Sequence, residues 1–197
     1  MAVNLLYMNQ GGGGDWGALA YADYDILCLA ESNVEKEKFS ERYNSLTQPP
    51  MSVQINKQSG RIITGVKDID VTAVEVRPIL TFQIVTLTVR VVFFHFKSGN
   101  EKFATQALDT AVTQYKKIIN NDLRTATLWI GDYNRAQLDP LTSVFKDYQL
   151  LCKGGGISKW SLDRAIITGN WNGKPPGAEE VSRSSDNQHI GIKVSFS

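Results

Sequence analysis

Short apolar runs broken by polar turns organise this chain. "AVNLLYM" reads as a strand, and "DILCLAE" as a short, fully apolar strand of the kind buried on both faces. "SVQIN" and "RIITGV" flank Lys57 to Gly60, a spacing that predicts a hairpin. "VTAVEVR", "ILTFQIVT" and "LTVRVVFFHF" follow, all rich in β-branched and aromatic residues. One clear helix interrupts them over 102–120. There Phe103, Ala107, Leu108, Ala111, Val112, Tyr115 and Ile119 recur on one face at helical spacing. "TATLWIG" is another buried strand, and "PLTSVFKDY" predicts a helix. "SLDRAIITG" and "HIGIKVSF" are the last strands, with Ile190, Ile192, Val194 and Phe196 alternating inward. "DWGALAYAD" has room for about two helical turns. Residues 32–50 are polar, end in Pro49-Pro50, and read as loop with room for a short helix over 35–43.

The order of these elements decides between two architectures. Gly12, Gly14 and Gly17 fit the spacing G-x-G-x-x-G, and Glu31 ends the next apolar run, as in a dinucleotide-binding unit. That fold needs strand and helix to alternate throughout, whereas here the middle of the chain is strand after strand. The segment between the first two strands is also short for a crossover helix plus a phosphate turn. The pattern therefore predicts an α+β fold: two packed, mainly antiparallel β-sheets flanked by helices. With no repeat, low-complexity tract or linker, residues 1–197 read as a single domain.

Composition narrows the function classes. The chain of 197 residues is 42% apolar and 21% charged, enough for one well-buried core. A formal net charge of +1 argues against a broad electrostatic footprint for nucleic acid but permits a local basic cleft. No apolar run approaches the roughly eighteen residues of a membrane span. The start, "MAVNLLYMNQ", lacks the features of a signal peptide, so the expectation is a cytoplasmic protein or one whose leader has been removed. Cys28, inside "DILCLA", reads as a buried free thiol; Cys152 could pair only if the fold brings it near.

Several apolar strands end in polar residues, and these form the candidate chemistry. Glu31 ends "DILCLA", "VVFF" runs into His95, and "LWI" runs into Gly131-Asp132-Tyr133-Asn134-Arg135. Asp163 opens "DRAIITG", and "SSDNQH" precedes the last strand. Both histidines of the chain sit beside such ends. Taken singly, each has a bland reading: a solvated strand end for Glu31, a structural histidine for His95, turn chemistry for Asp132 and Asp186. Asp163 is harder to dismiss, because a carboxylate inside an apolar strand needs a partner. Two imidazoles, several carboxylates and an amide together suit hydrolysis of a phosphate ester. Hard oxygen ligands without a Cys/His cluster favour Mg²⁺ over Zn²⁺.

The ordered motifs "YMNQG", "LCLAES", "VFFHFKSG", "IGDYNR", "SLDRAIITG" and "SSDNQH" resemble those of the endonuclease/exonuclease/phosphatase superfamily, the fold of deoxyribonuclease I. "VRPILTFQI", Trp16 and "GGGISKWSLDRAIITG" further resemble the catalytic B subunit of cytolethal distending toxin. The likeness spans nearly the whole chain and implies a four-layer sandwich and a Mg²⁺-dependent phosphodiesterase acting on DNA. A phosphoinositide phosphatase and a catalytically impaired binding relative are the alternatives. The resemblance implies that Glu31 binds the metal with Asn9 and Asp186 at its side. It makes His95 a general acid or phosphate donor, and His189 the second catalytic histidine, oriented by Asp163. Asp132 would activate water, Asn134 would donate to phosphate, and Arg77 and Arg135 would grip phosphates. It also implies a secreted toxin subunit with separate carrier chains, acting inside a target cell.

Three departures from the motifs set questions for the structure. Aligned on Q-G, the superfamily asparagine falls on Met8, one position before Asn9. A gapless match of "SDNQH" puts Asn187 where the histidine belongs. No acid clearly orients His95, with Asp68, Asp70 and Glu75 candidates by location alone.

Overall fold

The computed structural model describes residues 2–10, 24–31, 42–47, 51–60, 62–69, 78–96, 100–134, 136–153, 162–171, 175–183 and 189–197. Strand β1 (Val3–Asn9) pairs in parallel with β2 (Ile26–Ala30) and antiparallel with the last strand, β12 (Ile190–Phe196). β3 (Tyr43–Ser45) and β4 (Met51–Asn56) extend this sheet beyond β2, and β11 (Gly177–Arg183) closes its other side. Its order is β11-β12-β1-β2-β4-β3. The second sheet has the order β5-β6-β7-β8-β10-β9. Its strands are β5 (Ile63–Ile69), β6 (Ile79–Ile84), β7 (Val89–His95), β8 (Thr127–Asp132), β9 (Tyr148–Lys153) and β10 (Asp163–Thr168). Among the described residues, β1–β2 and β7–β8 are parallel and the other pairings are antiparallel. The α+β fold of two mainly antiparallel sheets expected from the strand pattern is the fold observed.

Period-two alternation explains how the sheets stack. Val3, Leu5 and Tyr7 of β1 meet Val89, Val91 and Phe93 of β7, Leu128 and Ile130 of β8, and Ala165 and Ile167 of β10 in one core between the sheets. The alternate residues Val92, Phe94, Trp129 and Ile166 face the other way, onto helix α1 (Glu101–Ile118). Burial on both faces is why these strands read as continuous apolar runs. Asn100 caps α1, its side chain accepting from the backbone N–H groups of Lys102 (2.9 Å) and Phe103 (3.3 Å). The helix buries Ala104, Ala107, Leu108, Ala111, Val112 and Tyr115; Phe103, placed on that face by its spacing, is instead exposed in the first turn. No helix among the described residues is long and apolar enough to cross a membrane.

The structure corrects the hairpin. β4 and β5 lie in different sheets, and Lys57–Ser59 forms a single 3₁₀ turn that carries the chain from one to the other. Gly60 leaves that turn at φ 68°, a conformation that glycine adopts without a Cβ penalty. Helix α2 (Asp139–Val144) occupies only the first part of "PLTSVFKDY", and β9 begins at its end. β3, β9 and β11 carry no strong apolar alternation and were not expected. Cys28 is a buried free thiol, and Cys152 is also free. The segments read as "DWGALAYAD" and "VTAVEVR", and the short helix over 35–43, lie largely outside the described residues.

Candidate active site

Strand register sets three polar residues in one row. His95 pairs with Asp132 across the parallel β7–β8 ladder, and Asp132 pairs with Asp163 across the antiparallel β8–β10 ladder. All three share the parity of the core-facing residues in their strands, so the apolar core between the sheets ends in polar groups at this rim. Gly131, just before Asp132, allows the close strand approach this requires. A Cβ there would stand 2.0 Å from the Phe94 carbonyl oxygen.

The opposite sheet supplies the other half. Asn9 ends β1 on the core-facing parity, fully buried, and its amide donates to Asp132 Oδ2 at 3.0 Å. Met8, at the position that alignment on Q-G favours, packs on the other face with Leu6, Leu27 and Leu29. Asn9, not Met8, therefore faces the histidines and carboxylates. His189, just before β12, places Nδ1 3.2 Å from Asp163 Oδ2 and 3.5 Å from Asp132 Oδ2. His95 Nε2 lies 3.4 Å from that same Asp132 oxygen and 3.8 Å from Glu31 Oε1. One carboxylate oxygen thus stands between the two imidazoles. His189 thus lies against both carboxylates, as the second histidine of the motif was expected to; Asn187 is outside the described residues.

Glu31 and Asn134 reach the site through unusual backbone. Glu31 sits directly after β2 at φ 51°, and Asn134 follows Asp132 at φ 41°, both left-handed conformations that non-glycine residues seldom adopt. Asn134 is buried. Its backbone N–H donates to Asp132 Oδ1 at 2.7 Å, and its side-chain amide donates to the Phe96 carbonyl. It ties the turn after β8 to the end of β7 and fixes the Asp132 carboxylate. Asp68 is exposed on β5. Arg77, Arg135, Asp186, Asp70 and Glu75 lie outside the described residues.

Asp163 is held from both sides. Oδ2 accepts from the Ile190 backbone N–H at 2.9 Å, and Oδ1 accepts from the Tyr7 hydroxyl at 2.7 Å. Burial pushes its carboxyl up to about 6, against the opposing effect of its bond to His189; the nearby Asp132 charge adds to the rise and Tyr7 opposes it. Burial, and then the charges of Asp163 and Asp132, hold the Tyr7 hydroxyl well above its ordinary range, so it stays a donor. A raised carboxyl means that the folded protein binds this proton more tightly than the unfolded chain. Its stabilising contribution is complete below about pH 4 and is lost as pH rises to about 6. In metal-free protein, wild type is expected to lose about 2–3 kcal/mol over that window relative to Asp163→Asn. Urea unfolding at successive pH values checks this; parallel stability curves for the two proteins contradict it.

A second concavity, of about 410 Å³, opens at the opposite rim, where Thr88 precedes β7, and is lined by Arg124, Asn170 and Trp171 among others. It gathers no histidine or acid cluster, and Arg124 is paired with Asp122 at 3.1 Å. The cluster of histidines and acids is at the His95 rim.

Among the described residues, Asp132, Asp163 and His189 bring ligand atoms within 4.8 Å of one another. Their oxygens already accept from Tyr7, Asn9, Ile190 and Asn134, so a hard cation there would compete with four donors. Glu31 offers a partly exposed carboxylate, and register places Asn9 beside Ala30, the residue before it. Oxygen donors on adjoining strand ends, the buried Asn9 and the partly exposed Glu31, suit Mg²⁺, which keeps several waters when bound.

The fold is that of the endonuclease/exonuclease/phosphatase proteins, the deoxyribonuclease-I-like sandwich. Danio rerio TDP2 complexed with single-strand DNA product matches with a TM-score of 0.60 at 10% identity, over 100% of this chain and 99% of that one. A Bacteroides thetaiotaomicron endonuclease/exonuclease/phosphatase family protein matches at 0.63 and 12%, over 99% and 94%. The mannosyl-6-phosphatase of the same organism matches at 0.62 and 13%, over 98% of both chains. No family model and no curated protein matches the sequence.

Tyr7 is the site residue the sequence did not disclose. It reads as one more apolar core position in "AVNLLYM", yet it shares the parity of Asn9 and reaches Asp163 from the other sheet.

Proposed function

We propose that the chain is a divalent-metal-dependent phosphodiesterase that hydrolyses DNA. The observation that carries this reading is the single Asp132 oxygen shared by His95, His189 and Asn9, with Asp163 behind His189. In the reaction, water attacks phosphorus, the new P–O bond forms, and the bond to the sugar oxygen breaks. With Nδ1–H donated to Asp163, the lone pair of His189 lies on Nε2, which takes the water proton. His95, its Nε2 3.8 Å from Glu31 and 3.4 Å from Asp132, is the proposed general acid that gives a proton to the departing oxygen. Asn9 and Asn134 hold Asp132 in place between them. A metal ion bound by Glu31 and Asn9, with Asp186 as a further candidate, would neutralise phosphate charge. Arg77 and Arg135 are the proposed phosphate grips.

DNA is favoured because a relative of this fold, Danio rerio TDP2, is complexed with single-strand DNA product. The toxin-subunit form of the reading, with carrier chains for delivery, rests on the sequence likeness of "VRPILTFQI" and "GGGISKWSLDRAIITG". A phosphomonoesterase acting on phosphoinositides is the second reading, favoured by the near-neutral charge and by the sugar phosphatase that shares the fold. A supercoiled plasmid incubated with Mg²⁺ should be nicked by wild type and not by His95→Ala. Phosphate release from a phosphoinositide without nicking would select the second reading; neither activity would overturn both.

A further inference from the structure

Asp163 is fully buried, so each of its oxygens needs a donor. The Ile190 backbone N–H serves Oδ2, with His189 Nδ1 3.2 Å from the same oxygen. Oδ1 is served by Tyr7, whose hydroxyl crosses from β1 of one sheet to β10 of the other at 2.7 Å. The Tyr7 ring is itself locked in the inter-sheet core, edge-on to Phe93 at 6.0 Å and 70°. That makes the hydroxyl a fixed point rather than a rotatable one.

The fixed point matters because His189 Nδ1 stands between opposite partners. Asn9 Nδ2, a donor, is 3.1 Å away, and Asp163 Oδ2, an acceptor, is 3.2 Å away. If Nδ1 accepts from Asn9, the ring proton sits on Nε2. If Nδ1 donates to Asp163, the proton is on Nδ1 and Nε2 carries the lone pair. A carboxylate free to turn about its last torsion would present Oδ2 to the ring for only part of the time. A donor bond on Oδ1 from one side and the Ile190 N–H on Oδ2 from the other fix the carboxylate plane.

We propose that Tyr7 is a positioning residue: its hydroxyl fixes the Asp163 carboxylate and so selects the Nδ1–H tautomer of His189. The proposal rests on the phosphodiesterase reading for its effect on rate, but not for its effect on the ring. The sequence offers no sign of it, since a tyrosine in an apolar strand reads as core.

Nitrogen-15 NMR of the metal-free protein tests the ring directly. In wild type, His189 is expected to show the Nδ1-protonated pattern; in Tyr7→Phe, which removes only the hydroxyl, a substantial Nε2-protonated fraction should appear. Phe93→Leu is the packing control, because it disturbs the same core without touching the hydroxyl, and its His189 spectrum should match wild type. Identical spectra in Tyr7→Phe and wild type overturn the proposal, as does an equal shift in Phe93→Leu. Should Tyr7→Phe fail to fold, the wild-type hydroxyl proton decides: slow exchange with water supports the held donor, and fast exchange overturns it. With bis(p-nitrophenyl) phosphate and Mg²⁺, Tyr7→Phe should lower kcat roughly tenfold with KM within about twofold. A changed tautomer in a protein whose wild type shows no phosphodiesterase activity would retain the Tyr7 assignment and sink the function reading instead.

Discussion

Asp132→Ala should lower kcat toward a phosphodiester by about 10³-fold while KM changes by less than about threefold, as expected when a group acts through positioned acid–base residues. The magnitude follows from where the carboxylate sits. Its Oδ2 is 3.4 Å from His95, 3.5 Å from His189 and 3.0 Å from Asn9, and its Oδ1 accepts from the Asn134 backbone. Removing it strips both imidazoles of a shared anionic neighbour and leaves two buried donors to find new partners. Asp132→Asn separates charge from shape. It keeps the volume but loses the anion, so it should fall close to the alanine variant if charge is what holds the histidines. Steady-state kinetics on bis(p-nitrophenyl) phosphate, with circular dichroism to establish that each variant is folded, read the effect. More than a tenth of wild-type kcat in Asp132→Ala would remove this carboxylate from the chemistry.

The parts of the fold and site that were legible in the sequence are those with a local cause. β2, β7, β8 and β10 are buried on both faces, and burial on both faces writes an unbroken apolar run. Glu31, His95, Asp132 and Asp163 stood out because each interrupts or ends such a run. β11 stayed hidden because it sits at a sheet edge and carries Glu179 and Glu180, which do not alternate with large apolar residues. The hairpin between β4 and β5 failed for a different reason. A short polar turn between two apolar runs looks the same whether the strands pair or part to opposite sheets; the choice is made by long-range pairing with β2 and β6. Register is equally non-local. Nothing near Asn9 in the chain says that it meets Asp132 123 positions on, or that Tyr7 meets Asp163. Parity decided Asn9 over Met8, and only the paired strands reveal which parity faces the core.

Glu31→Gln should raise the Mg²⁺ concentration needed for half-maximal activity by roughly 100-fold, the scale on which metal sites respond to the loss of a supporting group. Gln keeps the size and one oxygen but removes the charge that a hard cation seeks. The backbone there carries a cost: a non-glycine residue at φ 51° persists only where its surroundings hold it there. The competing location is the Asp132, Asp163 and His189 cluster, whose oxygens are already committed to protein donors. The two sites make opposite predictions. If Glu31 holds the ion, Mg²⁺ raises the melting temperature of wild type and Asp163→Asn alike, and fails to do so for Glu31→Gln at the same concentration. If the cluster holds it, Asp163→Asn loses the shift and Glu31→Gln keeps it. Melting curves need no turnover, so they place the ion even where a variant is inactive. Activity then shows whether the ion so placed is the one that the two histidines require.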